Sequence, residues 1–241
     1  MARLRIISDV HSEFHADAGR SFVTSLPDVP CDAVVVAGDV GDSRTALPFM
    51  RVLCDRFAGT PVLYVTGNHE HYGSSVDAVR TAVARASRTI RNLVHLDNTV
   101  VDVAGVRVAG ATLWFPYDPM NDLYRRNMAD YRAVRDLDTI AYAENDRTRR
   151  FIEAAGADVV VTHHLPCHSA VAPRWRGSPL NRFFVGGDES LVAASGAKAW
   201  VFGHTHVHTD VAIGGVRMVA NPFGYPSESG VGFIEDLVLE V

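Results

Sequence analysis

Five short apolar runs, each ending within a few residues in side chains able to bind a metal, constrain this chain more than any other feature. "LRIIS" leads into Asp9 and His11, "DAVVVAG" into Asp39, and "PVLYVTG" into Asn68 and His69. "ADVVVT" leads into His163, and "KAWVFG" into His204 and His206. The runs are continuous rather than alternating, which suits strands buried on both faces of a helix-covered sheet. Between the second and third lies "SRTALPFMRVLCDRFA", and after the third "SSVDAVRTAVARASRTI", both with apolar residues at helical spacing and with Ser43 and Ser74 placed as N-caps. Strand–helix–strand alternation implies parallel strands. Their carboxyl ends share one edge, where ligand sites of open α/β sheets form. Polar clusters far apart in sequence are therefore expected to meet in space.

Later segments change pattern. "TVVDVAGVRVAG" holds two alternating runs around Ala104-Gly105, and "DVAIGGVRMVA" is a hairpin closed by Gly214-Gly215. The final "FIEDLVLEV" alternates as an edge strand does. The expectation is one α/β domain over residues 1–241, with two mixed sheets stacked face to face and helices outside. Residues 116–150, polar and arginine-rich, are read as either a surface excursion near the site or a solvated helical insertion, with Asn121 and Asp122 as candidates to face the cleft.

Charge and composition limit the function classes. The net charge is −5 and no basic run stands out, which argues against an extended nucleic-acid surface or a grip on an anionic membrane. No apolar stretch approaches the length of a membrane span. The start of the chain lacks the apolar core and small-residue cleavage site of a secretion signal. Three scattered cysteines, Cys31, Cys54 and Cys167, suit neither a disulfide framework nor a zinc ribbon. A cytoplasmic protein is the expectation.

Asp, His and Asn supply oxygen and nitrogen ligands without thiolate, a set that suits Mn, Fe, Zn or Ni better than a structural zinc. Asp9, His11, Asp39, Asn68, His163, His204 and His206 are more ligands than one ion needs. They fit two divalent ions if one carboxylate is shared, the clamp used for in-line displacement at phosphorus. "GNHEHY" lacks the spacing of a helical zinc-peptidase motif, since His71 follows His69 by two residues. Arg174, Arg176 and Arg182 follow the His163 cluster and are candidates to bind a substrate phosphate or carboxylate.

The ordered set "DVH", "GDVGD", "GNHE", "THH" and "GHTH" resembles the calcineurin-like metallophosphoesterases, and it spans nearly the whole chain. The surroundings "SDVHSEF", "ATLW", "THHLP" and "NPFGYP" resemble a bacterial branch of small, stand-alone members. The resemblance implies a four-layer α/β/β/α sandwich with a dinuclear metal centre. It implies that Asp9, His11 and His206 hold one ion, that Asn68, His163 and His204 hold the other, and that Asp39 bridges them. His163 rather than His164 matches the ligand position. It further implies attack of a metal-bound hydroxide on a small phosphate mono- or diester, with His69 assisting the leaving group. Asp42 and Glu70 are expected to orient ligand or catalytic imidazoles.

Two other readings compete. A non-catalytic binding or scaffold protein on the same fold would need neither His69 nor a full ligand set. An amidohydrolase would carry His-x-His on its first strand and its aspartate late, whereas here the order is reversed. Within "GHTHVH", His208 falls outside the motif and is read as a bystander.

Overall fold

The computed structural model describes all 241 residues. The first sheet begins with three parallel strands, β1 (Arg3–Ile7), β2 (Ala33–Ala37) and β3 (Val62–Val65). They are linked through helices α1 (Arg20–Ser25) and α2 (Ala46–Arg56). Helix α3 (Val76–Ala86) leads to β4 (Leu93–His95), parallel to β3. The second sheet starts with β5 (Thr99–Val103) and β6 (Val106–Ala111), an antiparallel hairpin. Its turn residues Ala104 and Gly105 have φ of 48° and 82°, as a two-residue turn between right-twisted strands requires.

The next stretch holds the short helices α4 (Asn121–Tyr124) and α5 (Asp130–Ala133), then the long α6 (Leu137–Ala155). Strand β7 (Val159–Thr162) follows, then α7 (Asn181–Phe184), α8 (Glu189–Ser195) and β8 (Ala199–Phe202). The hairpin of β9 (Thr209–Ile213) and β10 (Val216–Ala220) turns at Gly214 and Gly215. The last strand, β11 (Val238–Glu240), pairs antiparallel with β1 at the sheet edge. The sheets run β11-β1-β2-β3-β4 and β5-β6-β7-β8-β10-β9.

Side-chain alternation sorts the layers. Leu4, Ile6, Val35, Leu63 and Val65 of the first sheet meet Val108, Val159, Val161 and Val201 of the second. The opposite faces, Ile7, Val34, Val36 and Tyr64, pack on Phe22, Phe49, Leu53 and Val83 of the first three helices. Beyond the second sheet, Val160, Trp200, Phe202 and Met218 pack on Ile152, Leu191 and Val192 of α6 and α8. The architecture is a four-layer α/β/β/α sandwich of two mixed sheets. Each large aliphatic side chain so buried contributes about 1.5–3 kcal/mol. No helix is long and apolar enough to cross a membrane.

Three local expectations are corrected. Helix α2 starts at Ala46, and Asp42 rather than Ser43 caps its entry by accepting from Thr45 N at 2.9 Å. Helix α3 is capped by Ser75, one residue beyond Ser74. Residues 116–150 are only in part an excursion, because α6 belongs to the outer helical layer. Its buried face is built from small and polar residues, Ala141, Asn145 and Thr148 beside Leu137 and Ile152, so little apolar periodicity shows in its sequence. Asn145 ties it inward by donating to the carbonyls of Trp114 and Gly186.

Candidate metal centre

The carboxyl ends of β1, β2, β3, β7 and β8 converge, so both sheets deliver side chains to one place. Asp9, His11 and His206 form one cluster, and Asp39, His163 and His204 another, with the ligand atoms of each within 4.8 Å of one another. Asp39 lies between them: its Oδ2 is 3.4 Å from His163 Nε2 and 3.8 Å from His11 Nε2. Asn68 Oδ1 lies 3.0 Å from His163 Nε2, which joins it to the second cluster. All seven residues picked from the sequence are brought together.

The backbone is bent to do this. Asp9, His11, Asp39, His204 and His206 all have φ between 45° and 66°, five of the nine non-glycine residues in that region. Such a conformation costs roughly 1–3 kcal/mol per residue, and strain of this kind gathers at functional sites. Hydrogen bonds hold it in place: His204 N donates to Asp9 Oδ1 and His69 N to Asp39 Oδ1, each at 2.8 Å. The strand ends also pass close beneath the centre. A Cβ on Gly38, whose φ is 85°, would stand 2.5 Å from His163 Nδ1, and one on Gly67 would collide with Asp39 Oδ1.

The donor chemistry fits a cation. His11 Nδ1 faces Glu13 at 3.2 Å and His206 Nδ1 faces Glu228 at 2.6 Å. With those nitrogens donating, both Nε2 atoms present lone pairs to each other at 3.0 Å. His163 Nδ1 donates to the Ala37 carbonyl, and its Nε2 faces His204 Nδ1 at 3.2 Å. The opposed lone pairs of His11 and His206 call for positive charge between them. Asp9 Oδ2 is buried without a partner. Although burial alone would lower it, the Asp39 carboxylate pushes His163 up to about 10. The Asp39 carboxylate that favours a proton on that ring also favours a cation beside it, and metal binding there must release the proton.

His69 stacks on Tyr72 with ring centroids 4.2 Å apart, and its Nδ1 lies 2.8 Å from Glu13 Oε1. Burial works against its charge, but Asp39 and Glu13 outweigh that and raise it to about 9. Glu13 in turn is pulled down to about 2, since its bonds to His11 and His69 overcome the cost of burial. His164 stays behind the cluster, its Nδ1 3.2 Å from the Thr112 carbonyl, and burial forces it down to about 3.

Some site expectations are corrected. Asp42 touches no imidazole, because it is spent on the start of α2, accepting from the backbone of Arg44 and Thr45. Glu70 accepts from the backbone N–H of Asp39, Val40 and Gly67 and from Tyr64 Oη; it braces the loops rather than any ring. Arg174 lines the cavity and donates to the His206 carbonyl at 3.2 Å, whereas Arg176 is exposed and outside the lining. Arg182 pairs with Asp118 at 2.7 Å. Asn121 is buried against the Pro116 carbonyl and Tyr142, and Asp122 faces solvent beside Arg125.

The carboxylates that orient the rings, Glu13 and Glu228, were missed by the sequence reading, as was Asp130. Asp130 Oδ1 accepts from Asn68 Nδ2 at 2.6 Å, which turns the amide oxygen toward the cluster. Glu13 carries a legible signal, two residues after His11 in "DVHSE". Asp130 and Glu228 carry none: Asp130 comes from the start of the short α5 and Glu228 from a distant loop. Beside the centre opens a cavity of about 430 Å³, lined among others by His69, Tyr72, Asp130, Arg174, Trp175 and Phe184.

Comparison with known proteins agrees with this geometry. The sequence profile described as Calcineurin-like phosphoesterase matches residues 2–208. An uncharacterised protein of Acanthamoeba polyphaga mimivirus is 22% identical over 263 residues, covering 95% of this chain and 93% of the viral one. The crystal structure of phosphopantetheinyl hydrolase from Mycobacterium tuberculosis is similar in fold. Its TM-score is 0.65 at 20% identity, covering 95% and 93% of the two chains. A dimetal phosphatase from Danio rerio superimposes with a TM-score of 0.51 at 12% identity, covering 93% and 88%. With the profile matched over most of its length, the chain belongs to the calcineurin-like phosphoesterase family.

Proposed function

We propose that the protein is a dinuclear metal-dependent phosphoesterase acting on small phosphate esters. The observation that carries this reading is the position of Asp39 Oδ2, within reach of both His163 and His11. Asp9, His11 and His206 would hold one ion and Asn68, His163 and His204 the other, with Asp39 shared. Two divalent ions, drawn from Mn, Fe, Zn or Ni, would activate water and neutralise charge on the phosphate. The names of two structural relatives, a phosphopantetheinyl hydrolase and a dimetal phosphatase, are in keeping with such chemistry.

The chain's own groups supply the rest. His69 is the proton donor to the departing ester oxygen: it lines the cavity, and the Asp39 and Glu13 carboxylates favour its protonated form. Glu13 accepts from its Nδ1, leaving Nε2–H as the proton that can be given. Tyr72 stacks on the ring and fixes its plane. Glu228, the Ala37 carbonyl and Asp130 orient His206, His163 and Asn68. A scaffold would need none of these orienting contacts.

The test is to strip metal with a chelator and restore Mn, Fe, Zn, Ni or Mg singly. Bound metal per chain and hydrolysis of nitrophenyl phosphate mono- and diesters are then measured. Two ions per chain and metal-dependent turnover are expected. Absence of turnover with every metal would overturn the proposal.

A further inference from the structure

A second concavity lies against the candidate centre, and nothing in the ligand set uses it. It is a shallow cleft of about 420 Å³ lined by Phe14, Tyr225, Pro226 and Ser227. Phe14 ends the short 3-10 turn Ser12–Phe14. The turn's other two residues face inward, Ser12 being buried and Glu13 bonded to His11 and His69. Phe14 is left 57% exposed, directly beside the centre. Its ring meets that of Tyr225 at 5.3 Å and 84°, so the two form the walls of a square notch. Tyr225 in turn stands 4.4 Å from His11 and 4.8 Å from His206, ring to ring, and also lines the 430 Å³ cavity. It lines both concavities, so the notch adjoins the larger cavity through this one ring.

An ester bound at the centre beside Tyr225 can send one organic arm into the larger cavity and another past Tyr225 toward the notch. A monoester has one arm to place; a diester has two. No charged side chain lines the notch, so it does not suit a further phosphate. Two aromatic faces at a right angle suit a flat ring, stacked on one wall and edge-on to the other.

We propose that the Phe14–Tyr225 notch is a subsite for the second arm of a phosphodiester substrate, an arm that carries an uncharged planar ring such as an aryl group or a nucleobase. The other arm occupies the larger cavity beside His69. This rests on the dinuclear phosphoesterase reading and narrows its substrate class. Continuity through Tyr225 with both the centre and the larger cavity favours a substrate arm over a second copy of the chain.

The probes are diphenylphosphinate and dimethylphosphinate, anions with two arms and no ester bond to cleave. Their dissociation constants are measured calorimetrically on the metal-loaded wild type, Phe14→Ala and Phe14→Trp. Loss of one stacking face should lower the affinity ratio of diphenyl to dimethyl probe by roughly tenfold in Phe14→Ala. Phe14→Trp should restore it. The same ratio should appear in kcat/KM for aryl against methyl nitrophenyl phosphate diesters. An unchanged ratio would overturn the subsite. So would a sedimentation change from dimer to monomer in Phe14→Ala, which would make the notch a contact between copies. Bound metal and turnover of nitrophenyl phosphate, a one-armed substrate, report on the centre itself. A subsite that fails beside a working centre is thus distinguished from a centre that fails.

Discussion

Glu13 Oε1 lies 2.8 Å from His69 Nδ1 and 3.2 Å from His11 Nδ1, so one carboxylate oxygen orients both the proposed proton donor and a proposed metal ligand. Its second oxygen is buried without a partner, which leaves the two rings as its only anchors. The same side chain thus fixes which nitrogen each imidazole turns toward the centre.

Glu13→Gln should therefore damage proton donation more than binding. With esters whose leaving group is a simple alcohol, kcat is expected to fall by about 10²-fold or more, the usual scale of general-acid assistance. With nitrophenyl esters, whose leaving group departs unaided, the loss should be much smaller. Metal affinity on the His11 side should weaken roughly 10- to 100-fold. The check is a leaving-group series at saturating metal. An equal loss across the series would refute the assignment to His69.

Metal counting separates the three histidines of "GHTHVH". His206 sits with His11 and Asp9, and His204 with His163 and Asp39. His208 instead lies beyond the loop, its N–H donating to the Val231 carbonyl at 2.7 Å. Elemental analysis of purified variants should find one ion lost in His204→Ala and one in His206→Ala. His208→Ala should retain the wild-type content. Loss of metal in His208→Ala, or none in the other two, would contradict this division.

Asp130 decides which end of the Asn68 amide faces the cluster. Because Asp130 accepts from Asn68 Nδ2, Oδ1 is the atom presented to His163 and its neighbours. Asp130→Ala frees the amide to rotate, and Asp130→Asn can invert it. Affinity for the ion on the Asn68–His163 side should drop about 10- to 100-fold in both, as for other orienting partners. Affinity on the Asp9–His11 side should be little changed. Stepwise metal titration by calorimetry reads the two steps apart; equal weakening of both would disprove the local role.

What the sequence conveyed and what it hid follow from range. The ligands stand at the ends of continuous apolar runs, so strand burial and strand ends were legible from residues a few positions apart. The two hairpins were legible because Ala104-Gly105 and Gly214-Gly215 need positive φ. The orienting groups are another matter. Asp130 reaches Asn68 across 62 positions from the start of the four-residue α5, and Glu228 reaches His206 across 22 from a loop; neither segment is long enough to show a periodic pattern. Asp42 misled because "GDVGD" places it near the centre in sequence, while in space the start of α2 claims its carboxylate. That α6 packs into the outer helical layer is hidden in the sequence because small and polar residues fill much of its buried face.

His71 makes the fold acid-sensitive for a reason separate from metal binding. Its ring is buried beside Trp114, and neither nitrogen has a partner. Burial forces its pKa down from 6.5 to about 4. In the unfolded chain the ring gains a proton as pH falls below about 6.5, while in the fold it stays neutral until about 4. Below the unfolded value the unfolded state therefore binds more protons, and stability declines across that window. The stability lost to this one group should amount to about 3 kcal/mol by pH 4, with none lost above pH 7. Urea unfolding of the chelator-treated protein, at steps from pH 7.5 to 4, should show a steeper decline in the wild type than in His71→Phe. The gap should widen from pH 6.5 down to 4 and level off below. If the two profiles run parallel throughout that window, His71 does not titrate with unfolding.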